Sequence, residues 1–116
     1  MTREELITHV QKIYDHALHL MDTKNKDYTG DRDCFYNFIM TALLVDLPVE
    51  KVIQVFVANK VIRDFNIIAN GNATKGEGTW DTTVDLCNYA GILQTWENVK
   101  DGYDFNKFSK TKEAQC

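Results

Sequence analysis

The most informative stretch of the chain is GTWDTTVDLCNYA, residues 78–90. It follows closely spaced glycines and then has helical spacing, with Thr79 as the expected N-cap because a threonine hydroxyl accepts a hydrogen bond at a helix start. In a helix, Asp81 and Asp85 share one face, and Asn88 extends that polar strip. Two carboxylates on successive turns can bind a divalent cation or pair with basic residues of another helix. The spacing alone leaves both alternatives open.

Hydrophobic spacing elsewhere predicts three more helices and no strand, which gives an all-α, four-helix bundle-like single domain. Thr2 and Glu5 have capping-box spacing at the start of the first helix. Asp31 or Asp33 is expected to cap the second helix, and Gly71 to end the third. The expected helices span about 2–22, 34–45, 48–70 and 80–99.

Each expected helix has an apolar side. The third is apolar around most of its circumference, which is typical of a central helix or of one that meets another subunit. We therefore expect a homo-oligomer. The other three apolar sides consist of Leu6, Val10, Ile13, Ala17 and Leu20; of Phe35, Phe38, Ile39 and Ala42; and of Leu86, Ala90, Leu93 and either Trp96 or Val99.

Composition restricts the functional class. The 116 residues suit one domain, here 1–101 with a polar tail over 102–116 that is expected to fray, and the net charge of −4 argues against binding long nucleic acid. No run reaches the roughly 18 apolar residues of a membrane span. The N-terminal segment carries acids where a secretory signal needs positive charge, so we expect a cytoplasmic protein. The three cysteines form no CxxC pair and are expected to be reduced.

Polar residues recur at three further places. The segment 23–33, TKNKDYTGDRD, is expected to be a loop: either a solvated connection or a site where an aromatic ring and cations meet a base and a phosphate. Asn37 lies between aromatic residues and is either a satisfied core amide or a pocket residue. Lys60 and Arg63 interrupt the apolar third helix and need partners. Asp81 and Asp85, or a phosphate group, could supply them.

Four motifs carry a resemblance to a known family. They are KNKDY at 24–28, FYNF at 35–38, KVIR at 60–63 and DTTVDLCNYA at 81–90. In this order they resemble the nucleotide modification associated domain 1 family, small helical proteins found largely in phages. That family is in turn similar to the MazG-type all-α nucleotide pyrophosphatases, so the resemblance implies a MazG-like fold. If the chain is phage-encoded, its compartment is the host cytoplasm.

The resemblance also implies roles for particular residues. Asp81 and Asp85 would be catalytic and would hold Mg²⁺, with Glu77 as a weaker third ligand. Water would then attack a phosphoryl group with the help of the metal. The residues implied in nucleotide binding are Lys24, Asp27, Tyr28, Asn37, Lys60, Arg63 and Asn88.

One feature departs from the pyrophosphatases, which have an acid-rich ExxE helix facing the second acid pair. This chain has no EExxE and offers Lys60 and Arg63 instead. We therefore keep two hypotheses: a metal-dependent nucleotide pyrophosphohydrolase, and a non-catalytic nucleotide-binding protein that sequesters a cyclic-nucleotide immune signal. A third alternative is an oligomeric helical module whose polar residues only pair with each other.

Overall fold

The computed structural model describes residues 1–70 and 79–108. Within these ranges the chain forms four α-helices and no strand, so the all-α, four-helix prediction is confirmed. None of these helices is both long and apolar enough to cross a membrane. The helices are α1 (Arg3–Thr29), α2 (Tyr36–Val45), α3 (Val49–Ala69) and α4 (Thr79–Val99), followed by two short 3-10 helices, Lys100–Gly102 and Phe105–Phe108.

α1 begins as predicted but ends later. The side chain of Thr2 accepts a hydrogen bond from the Glu5 N–H at 3.1 Å, and that of Glu5 accepts one from the Thr2 N–H at 3.0 Å. The helix then continues to Gly30, which takes a φ of 61° that favours glycine. The predicted loop over 23–29 is therefore wrong, and its candidate residues lie on a helix. The helix continues this far because no glycine or proline precedes Gly30 in this segment.

The other helix boundaries agree with expectation to within about two residues. The predicted acidic cap of α2 is wrong: the N-cap residue is Phe35, and no side chain caps this helix start. Asp33 lies two residues earlier, and its Oδ1 accepts from the Phe35 N–H at 2.8 Å. Pro48 precedes α3, and its rigid φ suits a helix start. Thr79 lies inside α4 rather than at its cap. The predicted terminator Gly71 lies outside the described residues.

The hydrophobic core lies between α2, the first half of α3 and the second half of α4. Trp96 is 1% exposed, and its indole N–H donates to Glu50 Oε2 at 3.1 Å, so a buried polar group is satisfied where α4 meets α3. The core residues are Phe35, Ile39, Ala42, Val49, Val52, Ile53 and Trp96.

The predicted apolar sides are only partly buried. Ala17 is buried as expected, but Leu6 is 52% exposed, so the prediction that it faces the core is wrong. Ala90 is also exposed. The buried side of α4 instead includes the polar Thr82, and hydrophobic spacing cannot identify a polar residue as buried.

The chain after α4 is packed on the core as far as residue 108. Tyr103 and Phe108 contact the core cluster, and the Tyr103 hydroxyl lies 2.9 Å from Asp33 Oδ1 and 3.0 Å from its Oδ2. The expectation that the tail frays from Gly102 is therefore wrong for residues 102–108.

Candidate functional site

The centre of the candidate site is one carboxylate that accepts from two lysines. Asp85 Oδ1 lies 3.1 Å from Lys24 Nζ of α1, and its Oδ2 lies 2.9 Å from Lys60 Nζ of α3. The Asp85 side chain is only 16% exposed, against 20% for Lys60 and 47% for Lys24. We call Lys24 and Lys60 the ammonium pair. The pairing of Lys60 with an acid of α4, one of the alternatives left open by the sequence, is confirmed.

Helix register brings these three residues together. Two contacts, Lys60 with Asp85 and Glu50 with Trp96, show that α3 and α4 run antiparallel. α1 is fixed to α4 by Asn88, whose side-chain amide donates to the Ala17 carbonyl at 2.9 Å. The predicted site residue Asn88 therefore positions α1 and Lys24 against α4.

Asp85 and Lys24 are each stabilised in the ionised form. Burial raises the pKa of Asp85, but the hydrogen bonds from Lys60 and Lys24 outweigh it and hold that pKa below its usual value. Burial lowers the pKa of Lys24, but the hydrogen bond and charge of Asp85 outweigh it and raise that pKa. At neutral pH the ammonium pair and Asp85 together carry a net charge of about +1.

Each ammonium group can bind more than Asp85. A lysine carries three N–H donors, and one donor from each lysine is directed at Asp85. Both lysines line a cavity of about 200 Å³ that also contains Asp85, Tyr28 and Tyr89. The cavity therefore presents spare ammonium donors beside aromatic rings, an arrangement suited to an anionic, aromatic ligand.

The structure brings most of the predicted nucleotide-binding residues to this place. The cavity that contains Asp85 is lined by four of them: Lys24, Tyr28, Lys60 and Asn88. A fifth, Asn37, lines an adjoining cavity that shares Tyr28 with the first. Other predicted residues do not join them: Asp27 and Asp81 are exposed and Arg63 is half-buried, and none of the three lines either cavity.

The Asp85 carboxylate is better suited to its lysine partners than to Mg²⁺. Both Asp85 oxygens accept from ammonium groups, and a metal bound there would have to displace them. No group of three or more histidine, cysteine, aspartate or glutamate residues within 1–70 and 79–108 could hold a metal ion. Glu77, the predicted third ligand, lies outside these ranges.

Tyr28 was predicted from the sequence, but the other aromatic residues of the site, Phe38, Phe56 and Tyr89, were not. The rings of Phe56 and Tyr89 are stacked, with centroids 5.9 Å apart and planes 7° apart, and Phe38 packs edge-on against both. A signal for Tyr89 was present: it follows Asp85 by four residues and so shares its helix face. Phe56 had no such indication in the sequence, because a single aromatic residue on an apolar helix is most simply predicted to be a core residue.

Comparison with known proteins finds no matching family model, no matching curated protein and no matching solved structure.

Proposed function

We propose that this chain binds a nucleotide through its phosphate, on Lys24 and Lys60. The observation that carries the proposal is the largely buried Asp85, which holds two ammonium groups from different helices at the edge of one cavity. A preorganised pair of cations loses little freedom when an anion arrives, and hydrogen bonds from ammonium to phosphate are charge-assisted. Tyr28 and Tyr89 place aromatic surface beside them.

The resemblance to the nucleotide modification associated domain 1 family supports the same class of ligand. Its motifs contribute Lys24 and Tyr28 from KNKDY, Lys60 from KVIR, and Asp85 with Tyr89 from the helix-four motif. All five residues line the one cavity. Under this proposal the protein binds a nucleotide and leaves it intact, as a protein that sequesters a cyclic-nucleotide immune signal would.

The test replaces one ammonium group while keeping the aliphatic part of its side chain. We expect Lys60→Met to weaken nucleotide binding at least about tenfold, roughly 1.4 kcal/mol, when measured by titration calorimetry in EDTA. The matched control is Lys51→Met, an exposed lysine of the same helix that lines neither cavity. Equal affinities for wild type, Lys60→Met and Lys51→Met would overturn the proposal.

The second candidate function is metal-dependent nucleotide pyrophosphohydrolysis at Asp81 and Asp85. One observation favours it: Asp64, one turn after Lys60 on α3, has a buried Oδ1 without a hydrogen-bond partner in the described part of the chain. A metal would give this oxygen a partner. In the antiparallel register Asp64 is about level with Asp81, but Asp64, Asp81 and Asp85 do not form a group that could hold a metal ion.

Turnover separates the two candidates. The protein is incubated with nucleoside triphosphates and cyclic oligonucleotides, with Mg²⁺ or with EDTA, and the products are separated by chromatography. The binding proposal expects every nucleotide to be recovered unchanged and binding to persist in EDTA. Mg²⁺-dependent product that disappears in Asp85→Asn would establish the enzyme instead.

A further inference from the structure

A second cavity continues the candidate site away from the ammonium pair. It measures about 230 Å³ and shares Asn25, Tyr28, Phe38 and Tyr89 with the first cavity. Each cavity is smaller than the roughly 300–1,000 Å³ typical of small-molecule sites, and the two together fall within that range. A ligand held by the ammonium pair therefore has room to extend in this direction.

The walls of the second cavity suit a flat aromatic group. Phe56, Phe38 and Tyr89 form a packed aromatic wall, and Phe56 and Tyr28 are partly solvent-exposed, at 38% and 65%. Stacking on aromatic side chains contributes about 1–3 kcal/mol per nucleobase and works with every base.

One amide in this cavity is available to identify the base. The side chain of Asn25 already donates to the Cys34 carbonyl and accepts from Thr29. The Asn37 side chain makes only a 3.5 Å contact with the Tyr28 carbonyl, at the limit of a hydrogen bond. An amide offers both a donor and an acceptor, which matches the hydrogen-bonding edge of a base.

Charge limits the number of phosphate groups. The two lysines and Asp85 sum to about +1 at neutral pH. A phosphodiester carries about −1 and is balanced, whereas a phosphomonoester carries about −1.5 to −2 and leaves at most about one negative charge uncompensated. A triphosphate carries at least about three negative charges. The ammonium pair cannot neutralise all of them beside Asp85, and the Asp85 carboxylate would repel the remaining negative charge of the triphosphate.

We infer that the ligand is a nucleotide unit with a single phosphate group, held by the ammonium pair, whose base stacks in the second cavity and is hydrogen-bonded by Asn37. This rests on the proposed function. The phosphate belongs either to a nucleoside monophosphate or to one linkage of a cyclic dinucleotide, and the unit is the same in both. The second cavity confers base specificity, whereas the ammonium pair binds the single phosphate group whichever base is attached.

The test is a set of calorimetric titrations in EDTA with four kinds of ligand: nucleoside 5′-monophosphates of each base, cyclic dinucleotides, nucleoside triphosphates and ribose 5-phosphate. The preferred monophosphate or cyclic dinucleotide is expected to bind at least about tenfold more tightly than its triphosphate and than ribose 5-phosphate. Tighter binding of one of the first two kinds identifies the source of the phosphate.

Variants at the base end complete the test. Asn37→Ala is expected to reduce the preference among bases to within about threefold while leaving ribose 5-phosphate binding unchanged. Tyr28→Leu, at a ring that is 65% exposed, is expected to weaken binding of all bases. Asn66→Ala, an exposed asparagine of α3, is the control.

Failure of this inference differs from failure of the proposed function. If Lys60→Met weakens binding but the triphosphate or ribose 5-phosphate binds as tightly as the best monophosphate and the best cyclic dinucleotide, the single-phosphate inference is overturned. An unchanged base preference in Asn37→Ala overturns the role of Asn37. If no ligand binds, or if Lys60→Met has no effect, the proposed function fails as well.

Discussion

Asp85 organises the candidate site because one carboxylate fixes two ammonium groups. The carboxylate is largely buried, a costly position for a charge without partners. Its two oxygens each accept from a different lysine, at 3.1 Å and 2.9 Å. Removing Asp85 therefore frees two cations, whereas removing either lysine leaves the other in place.

The lowered pKa of Asp85 makes its contribution depend on pH. We expect Asp85→Asn to reduce the free energy of unfolding by about 1–3 kcal/mol at pH 7, since hydrogen bonds to a charged group are lost. The folded pKa lies below the unfolded value near 3.8, so this contribution is present above that value and disappears as the pH falls through the folded pKa.

Urea denaturation from pH 7 to pH 2.5 measures this effect. The difference between wild type and Asp85→Asn should be constant above about pH 5 and shrink below about pH 4. Asp46→Asn, an exposed carboxylate for which the structure gives no ion pair with the described residues, is the control. A difference that is independent of pH would mean that the charge of Asp85 does not stabilise the fold.

Among single residues, the sequence predicted part of the candidate site. Charge and helix position indicated Lys60 and Asp85 as possible partners, and the motifs also marked Lys24; all three line one cavity. Asp27 and Arg63, which the motifs marked as well, do not line it. Spacing on one helix cannot show which residue of another helix lies opposite, because that depends on packing.

Among the elements, α1 and the segment after α4 differ most from expectation. The mixed charge of 23–33 resembles a loop, yet helix propagation needs only the absence of a breaker, and the first glycine is Gly30. The segment after α4 is polar in composition, but Tyr103 and Phe108 fix it to the core. A few anchoring side chains outweigh the average composition of a segment.

The Tyr103–Asp33 hydrogen bond is expected to hold the segment after α4 in place. Tyr103→Phe should lower the free energy of unfolding by about 1–3 kcal/mol, because the hydroxyl donates to a charged carboxylate. Chemical denaturation with a double-mutant cycle against Asp33→Asn isolates the pair. Tyr14→Phe on exposed α1 is the control. A coupling energy near zero would show that aromatic packing alone fixes this segment.

For the whole molecule, the most conspicuous feature is uncovered apolar surface. No residue of α1 before Ala17 is buried, and on both α1 and α3 several large apolar side chains are more than half exposed. They include Leu6, Ile7, Tyr14 and Leu18 of α1 and Ile62, Phe65 and Ile68 of α3. Exposed apolar surface of this extent usually marks an interface, and a second copy of the chain fits the oligomer expected from sequence.

We therefore predict a dimer or larger homo-oligomer at micromolar concentration, measured by light scattering. Leu6→Glu on the apolar side of α1 should shift it towards monomer, because a charge would be buried in the interface. Thr8→Glu, two residues away on the opposite side of the helix, should not. A wild-type mass of about 13.4 kDa would contradict the prediction.

The sequence predicted the helix count and the N-terminal cap because these depend on local patterns. It could not predict which apolar sides would be covered. Leu6 and Ala17 carry the same helical signal, yet Ala17 is buried and its carbonyl meets α4, whereas Leu6 is more than half exposed. Coverage depends on relative helix lengths and on oligomeric partners, which periodicity does not encode.

The central claim is that the ammonium pair on Asp85 binds a nucleotide phosphate. A crystal structure of the protein soaked with nucleoside monophosphates and cyclic dinucleotides, in EDTA and in Mg²⁺, tests it most directly. We predict an intact ligand in both conditions, with phosphate oxygens about 2.7–2.9 Å from Nζ of Lys24 and of Lys60. A Mg²⁺ ion bridging Asp81 and Asp85 with both lysines displaced, or a ligand bound away from the pair, would contradict the claim.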